Sequence, residues 1–230
     1  EVEDALKAAE RADKEIMRSE RRSALHGVPL AHKDMFYRTE KVSTFGSKIF
    51  RDYSPNYTST VMARLKDSGA IYLGGLNMAE FATGPVGQND HYGNIRNPWN
   101  LEHVSGGSSS GSGAAVAARV TFGSVGSDTG GSCRLPAGMC GVVGLKPTYG
   151  LVSRHGGLAR CWTLDCFGPI ARTACDVAII LQAIAGYDEH DPMTAHNPVP
   201  NYVDGLDGDV RGLRVAVPRN HLYPDVDPRL

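Results

Sequence analysis

Hydroxyls, one lysine and a high density of glycine are the chemistry-bearing features of this chain of 230 residues. Ser105-Gly106-Gly107-Ser108-Ser109-Ser110-Gly111-Ser112-Gly113 is almost wholly Gly and Ser. A second cluster, Gly126-Ser127-Asp128-Thr129-Gly130-Gly131-Ser132, follows after one small-residue segment, with Arg134 just beyond it. Far upstream, Lys33-Asp34 lies just past the apolar run Gly27-Val28-Pro29-Leu30-Ala31. Taken alone, the first cluster reads as a flexible linker. A linker separates units, however, and this one runs straight into Ala114–Val120, a helix candidate. Two glycine-rich clusters around one helix read instead as backbone brought close to a ligand.

Three chemistries compete for these residues. Phosphate binding requires a lysine directly after the glycines of a P-loop, or a GxGxxG fingerprint after a strand, and neither is present. A nucleophile elbow is matched formally by Gly107-Ser108-Ser109-Ser110-Gly111 with Ser109 central. That elbow needs a buried strand immediately before it, which Asn97-Pro98-Trp99-Asn100-Leu101-Glu102-His103-Val104 does not look like. The third is a serine nucleophile served by a lysine base, and here the combined pattern becomes specific.

Lys33-Asp34 after Val28-Pro29-Leu30-Ala31, Gly-Gly-Ser-Ser at 106–109 and Asp-Thr-Gly-Gly-Ser at 128–132 resemble the amidase signature family. The resemblance runs on through Gly144-Leu145-Lys146-Pro147-Thr148-Tyr149-Gly150-Leu151-Val152-Ser153, Leu164-Asp165 and Gly168-Pro169-Ile170-Ala171-Arg172-Thr173. It implies a Ser–Ser–Lys triad: Ser132 as nucleophile, Ser108 as bridging serine after a cis Gly107–Ser108 peptide, and Lys33 as general base. The separations are 132 − 108 = 24 and 108 − 33 = 75 positions. It also implies an oxyanion hole from the N–H groups of Thr129, Gly130, Gly131 and Ser132, and a supporting hydrogen bond from Ser127 at the Lys33–Ser108 end. Arg134 is expected to pair with Asp128 rather than to meet substrate. Met78, Ala82, Thr83 and Gly84 are expected on the acyl side of the pocket. Ser110 and Gly113 stand where relatives usually carry glycine and a small residue such as alanine; both are small.

The chemistry explains the residue types. A serine hydroxyl attacks an amide only when a base takes its proton. Lysine, with an ordinary pKa of about 10.4, serves only if burial pushes that value down. Lys33 follows an apolar run that would hold its stem inside. Asp34 would raise its pKa, and strand alternation is expected to turn Asp34 to the other face. Cys133 next to Ser132 suggests a nitrilase-like thiol nucleophile, but the Glu and Lys motifs of that chemistry are absent. The eight His residues show neither HExxH nor HxH spacing, so no metal and no cofactor is expected.

These residues need elements to hold them. Apolar periodicity predicts a helix over about 2–20, a second over 58–68 capped by Thr58 or Ser59 and stopped at Gly69, and a third over Thr173–Ala185. In the third, Thr173 and Asp176 form a capping box and Gly186 is the stop. Strands are expected at 27–31, 70–73, 122–125, 142–145 and Leu213–Val217, with 94–100 turn-rich. Alternation of strands and helices gives an α/β class, and the resemblance implies a central mixed sheet covered by helices on both faces. The expectation is one domain over 1–230, a part of a longer chain lacking its C-terminal portion and some N-terminal residues.

Composition closes other routes. Lys+Arg 24 against Asp+Glu 25 leaves a net charge of −1, which offers no polybasic surface to nucleic acid or anionic membrane. No run of about 18 apolar residues is present. Five cysteines without CxxC spacing oppose both a disulfide framework and a zinc site, and point to a reducing, cytoplasmic setting. The reading is an amidase signature hydrolase acting on a small-molecule amide, carbamate, urea or ester, with a homodimer allowed. Its rivals are the glutamine-hydrolysing component of a tRNA-dependent amidotransferase and a non-catalytic binding or assembly relative.

Overall fold

The computed structural model describes residues 1–216. The elements follow one another as α1 Val2–Met17, β1 Pro29–Lys33, α2 Thr60–Asp67, β2 Ile71–Leu76, β3 Arg96–Asn97, β4 Asn100–Val104, α3 Ser110–Ala117, β5 Gly123–Asp128, α4 Arg134–Cys140, β6 Val143–Gly144, β7 Cys166–Ala171 and α5 Ala174–Ile184.

Five strands form one mixed sheet in the order β2-β1-β5-β7-β6. β1 pairs in parallel with β2 and β5, with Lys33 opposite Leu76 and His32 opposite Val125. β7 runs antiparallel to β5 and β6, with Gly126 opposite Gly168 and Asp128 opposite Cys166. The period-two alternation of β7 separates two apolar layers. Phe167 and Ala171 join Leu30, Val61, Met62, Leu65, Val125, Val177, Ile180 and Ile184, the cluster under α2 and α5. Ile170 points the other way and packs with Val116, Cys133 and Ala137 under α3 and α4. The sheet is thus covered on both faces, which is why β5 and β7 are buried at all six positions each.

Caps behave as their side chains dictate. Ser59 accepts from Met62 N–H and starts α2, and Thr173 Oγ1 accepts from Asp176 N–H at 3.1 Å and starts α5. The motif around Ser153 is structural: Arg154 forms a buried pair with Asp191, Nη2 to Oδ1 at 3.1 Å.

Several expectations are corrected. The helix expected at 114–120 begins earlier, at Ser110, inside the Gly/Ser run, and all nine residues 105–113 are buried. Glycine disfavours helix by about 1 kcal/mol relative to alanine. Close packing overrides this: a Cβ at Gly111 would lie 2.4 Å from Asn77 O, and one at Gly113 would lie 2.8 Å from Pro136 Cβ. β5 runs on to Asp128 rather than stopping at 125. β7 has no counterpart among the expected strands, because Gly168-Pro169 argues against a central one. It forms nonetheless, since Pro169 needs only its carbonyl there, accepting Leu145 N–H at 3.0 Å, while a Cβ on residue 168 would sit 2.0 Å from Leu145 O. The turn-rich 94–100 segment belongs to the β3–β4 hairpin, pinned by Asn97 Nδ2 to Met139 O and Trp99 Nε1 to Cys140 O, each at 2.7 Å. The strand expected at Leu213–Val217 is not formed over 213–216, where Leu213 and Val215 are exposed and pair with no described strand; Val217 lies outside the described residues.

Candidate active site

β1 delivers Lys33 into the interior, and no part of its side chain reaches solvent. Its Nζ donates to Ser108 Oγ at 2.6 Å and to Ser127 Oγ at 2.8 Å. Ser108 comes from the chain just before α3, through a cis Gly107–Ser108 peptide. Ser127 comes from β5. Residues 75 and 94 positions away thus converge on one amine. Asp34 is turned away, its carboxylate taking the backbone N–H and hydroxyl of Thr44.

Burial is the main force on Lys33 and pushes its pKa down to about 7. Cys133 and Asp128 act in the opposite sense, and Arg160 adds to the lowering. The thiol of Cys133 is itself pushed up to about 12 by burial. It is therefore uncharged where Lys33 titrates, and burial governs. The same shift makes Cys133 a poor thiolate nucleophile.

The turn from β5 to α4 is organised by Asp128, which is fully buried. Oδ1 accepts Gly131 N–H at 2.7 Å, and Oδ2 accepts Cys133 N–H at 3.2 Å. Arg134 closes a bidentate pair, Nε to Oδ2 and Nη2 to Oδ1, both at 3.0 Å. Burial alone would raise the Asp128 carboxyl, but Arg134 and the Cys133 and Gly131 N–H groups outweigh it and hold the pKa below its ordinary value. Arg134 is accordingly paired as expected from the sequence. Gly131 differs from expectation: its N–H is committed to Asp128 rather than free for an oxyanion. Among the described residues, the N–H groups of Thr129, Gly130 and Ser132 have no protein acceptor.

Ser132 is half-buried and lines a cleft of about 190 Å³ together with Gly107, Gly130, Leu135 and Arg160. One backbone hydrogen bond ties it to the lysine end of the site: Ser109 N–H, directly after Ser108, donates to Ser132 O at 3.2 Å. Ser109 itself is held by β5, its Oγ donating to Ser127 O at 3.2 Å, and it sits at the start of α3 rather than at an exposed turn. The strand before it, β4, is exposed at every position. Neither feature fits an elbow nucleophile at Ser109.

The segment 77–84 is tied to this site by Ala79 N–H donating to Ser108 O at 3.2 Å. Of the four residues expected on the acyl side, Ala82 and Gly84 line the cleft and Pro85 joins them. Met78 is fully buried in the core, and Thr83 is exposed with its hydroxyl on Phe81 O. Sequence reasoning missed Arg160 altogether, because nothing local separates it from a surface arginine. Among the described residues no three His, Cys, Asp or Glu side chains gather as a metal-holding group, and no helix is long and apolar enough to cross a membrane.

Comparison with known proteins points to one family. The amidase family model matches residues 2–230. The A-type chain of the glutamyl-tRNA(Gln) amidotransferase of Geobacter metallireducens is 47% identical over 226 residues, covering 98% of this chain and 46% of that protein. Among solved structures, the native peptide amidase of Stenotrophomonas maltophilia superposes with a TM-score of 0.83 at 40% identity, over 89% of this chain and 43% of its own. A structure described as a vestigial protein complex, revealing the evolutionary origins of an s-triazine catabolic enzyme, gives 0.90 at 41% identity, over 93% and 47%. The chain spans about half the length of the curated relatives it matches.

Proposed function

The chain belongs to the amidase family, the amidase signature hydrolases, and from that premise we propose that it cleaves the C–N bond of a linear carboxamide through an acyl-enzyme on Ser132. Neutral Lys33 takes the proton of Ser108, and Ser108 takes that of Ser132 as Ser132 Oγ attacks the carbonyl carbon. The carbonyl π pair moves to oxygen, and the N–H groups of Thr129, Gly130 and Ser132, which carry no other hydrogen bond among the described residues, are our candidates to stabilise it. The intermediate collapses, the C–N bond breaks, and the proton held by Lys33 returns through Ser108 to the leaving nitrogen. Water then attacks the acyl-enzyme by the same route and frees Ser132. Carbamates, ureas and esters present the same carbonyl geometry and fall within the proposal.

The observation that carries this reading is the fully buried Lys33 amine, 2.6 Å from Ser108 Oγ, with a pKa near 7. A base of that pKa is matched to neutral pH. A serine-directed fluorophosphonate should label Ser132, and Ser132→Ala should abolish the label. Labelling unchanged in that variant, at Ser109 for instance, would return the elbow reading. The likeness to the A-type chains of amidotransferases favours a second reading, in which the same triad frees ammonia from glutamine for a partner protein. Turnover of simple amides by the isolated full-length chain supports the first reading; glutamine turnover only with a partner supports the second. The filled triad positions speak against a non-catalytic relative. The five unpaired cysteines fit a reducing compartment such as the cytoplasm.

A further inference from the structure

Among the residues lining the Ser132 cleft, Arg160 alone carries a charge. Its guanidinium makes no hydrogen bond or ion pair among the described residues. Other arginines of this region are committed: Arg134 to Asp128, and Arg154 to Asp191. The nearest acid in sequence, Asp165, does not neutralise Arg160 but positions its backbone. Asp165 Oδ2 accepts Arg160 N–H at 2.7 Å and Cys161 N–H at 2.8 Å, while Oδ1 accepts Thr129 Oγ1 at 2.7 Å. Asp165 is buried, so both carboxylate oxygens are spent on fixing the 160–165 loop against the turn that carries Ser132. The result is an exposed guanidinium, held at the wall of the small cleft that Ser132 also lines.

We propose that Arg160 is a specificity residue that selects substrates bearing a carboxylate a few bonds from the scissile carbonyl, the class of short ω-amido carboxylic acids. A planar guanidinium with five donors matches a carboxylate in two parallel hydrogen bonds, and lysine cannot reproduce that fork. The other lining residues, Ala82, Gly84, Pro85, Gly107, Gly130 and Leu135, are small or apolar and offer an acyl chain no charged or hydrogen-bonding side chain besides Arg160 and Ser132. A volume of about 190 Å³ suits a short chain that ends on the arginine. Succinamate belongs to this class, and so does glutamine through its α-carboxylate. The inference rests on Ser132 being the acylated residue, and the test separates the two.

The experiment compares kcat/KM for succinamate and for 4-methylpentanamide, in which an isopropyl group replaces the carboxylate. It uses the full-length wild type, Arg160→Gln and Arg160→Lys at pH 9, where Lys33 is neutral even without the lowering that Arg160 adds. The wild type should prefer succinamate. Arg160→Gln should lose about 10–100-fold on succinamate, as expected for a charge-assisted hydrogen-bonded pair, and under about 3-fold on the neutral amide. Arg160→Lys should recover part of the loss, and added salt should shrink the wild-type preference. Labelling of Ser132 by a neutral fluorophosphonate, at equal rates in wild type and Arg160→Gln, is the control. Equal labelling with an unchanged succinamate ratio overturns the role of Arg160 and leaves Ser132 standing. A wild type that prefers the neutral amide also overturns it. Failure of the wild type to label at Ser132 instead removes the premise.

Discussion

Replacing Lys33 with arginine keeps a positive charge and a long stem at one buried position and removes the ability to be neutral. With a pKa of about 7, half of the Lys33 side chains are neutral at pH 7. At the ordinary value of about 10.4 the neutral fraction would be about one in 2,500, so burial raises the supply of base about 10³-fold. The sign is fixed by the direction of the shift: the active form is the deprotonated one, so kcat/KM rises with pH through about 7 and then levels. At pH 5.5 about 3% of the plateau should remain, with tenfold per unit below the bend. Arginine does not deprotonate at working pH, so Lys33→Arg should lose about 10³-fold or more on an amide, as should Lys33→Ala. Ester hydrolysis should suffer less, since an alkoxide leaves without the proton that an amine needs. The assay is a pH–rate profile from 5.5 to 9 on matched amide and ester substrates, with the fold of each variant checked by denaturation. A flat profile, or near-native amidase activity in Lys33→Arg, would refute the assignment of Lys33 as base. Linkage gives an independent readout. The unfolded chain keeps the lysine proton up to about 10.5 whereas the folded one sheds it at about 7, so stability from this group is lost as pH falls through that window. Between pH 7 and 9, wild type should gain on Lys33→Met by about 2–3 kcal/mol.

Two further outcomes follow from the buried groups around Ser132. Asp128→Ala should cost about 2–4 kcal/mol in urea unfolding, because it strands the N–H groups of Gly131 and Cys133, while the half-exposed guanidinium of Arg134 falls back on water; a cost below about 1 kcal/mol would show that the turn does not depend on this carboxylate. Cys175, which is exposed, should react with a thiol reagent in the native protein at pH 8, whereas Cys133, buried and with its thiol pushed up to about 12, should react only after unfolding; mass mapping of modified peptides that finds Cys133 modified as fast as Cys175 would contradict the packing described.

What residue order alone determines here is chemistry tied to side-chain type and local spacing. Thr173 announces a helix start, and Thr58 or Ser59 another that the structure assigns to Ser59, because a capping hydroxyl needs only its own neighbours. The motifs carrying Lys33, Ser108 and Ser132 are legible because they are long and ordered, and of these residues Lys33 and Ser108 meet directly; the Asp128–Arg134 pair is legible because six positions separate its members in one short turn. Tertiary structure decides what depends on partners distant in sequence. The Gly/Ser run becomes the start of α3 only because Asn77 and Pro136 press against it too closely for any Cβ. β7 becomes a central strand despite Gly168-Pro169 because β5 and β6 supply its ladder from both sides. Gly131 gives its N–H to Asp128 because the β5–α4 turn folds the carboxylate back beneath it. Arg160 reaches the cleft because Asp165 binds both its backbone and Thr129, a contact spanning 36 positions that no local pattern encodes. Most of all, the pKa of Lys33 is a property of burial under elements drawn from the whole chain, and an isolated Lys-Asp dipeptide carries no trace of it.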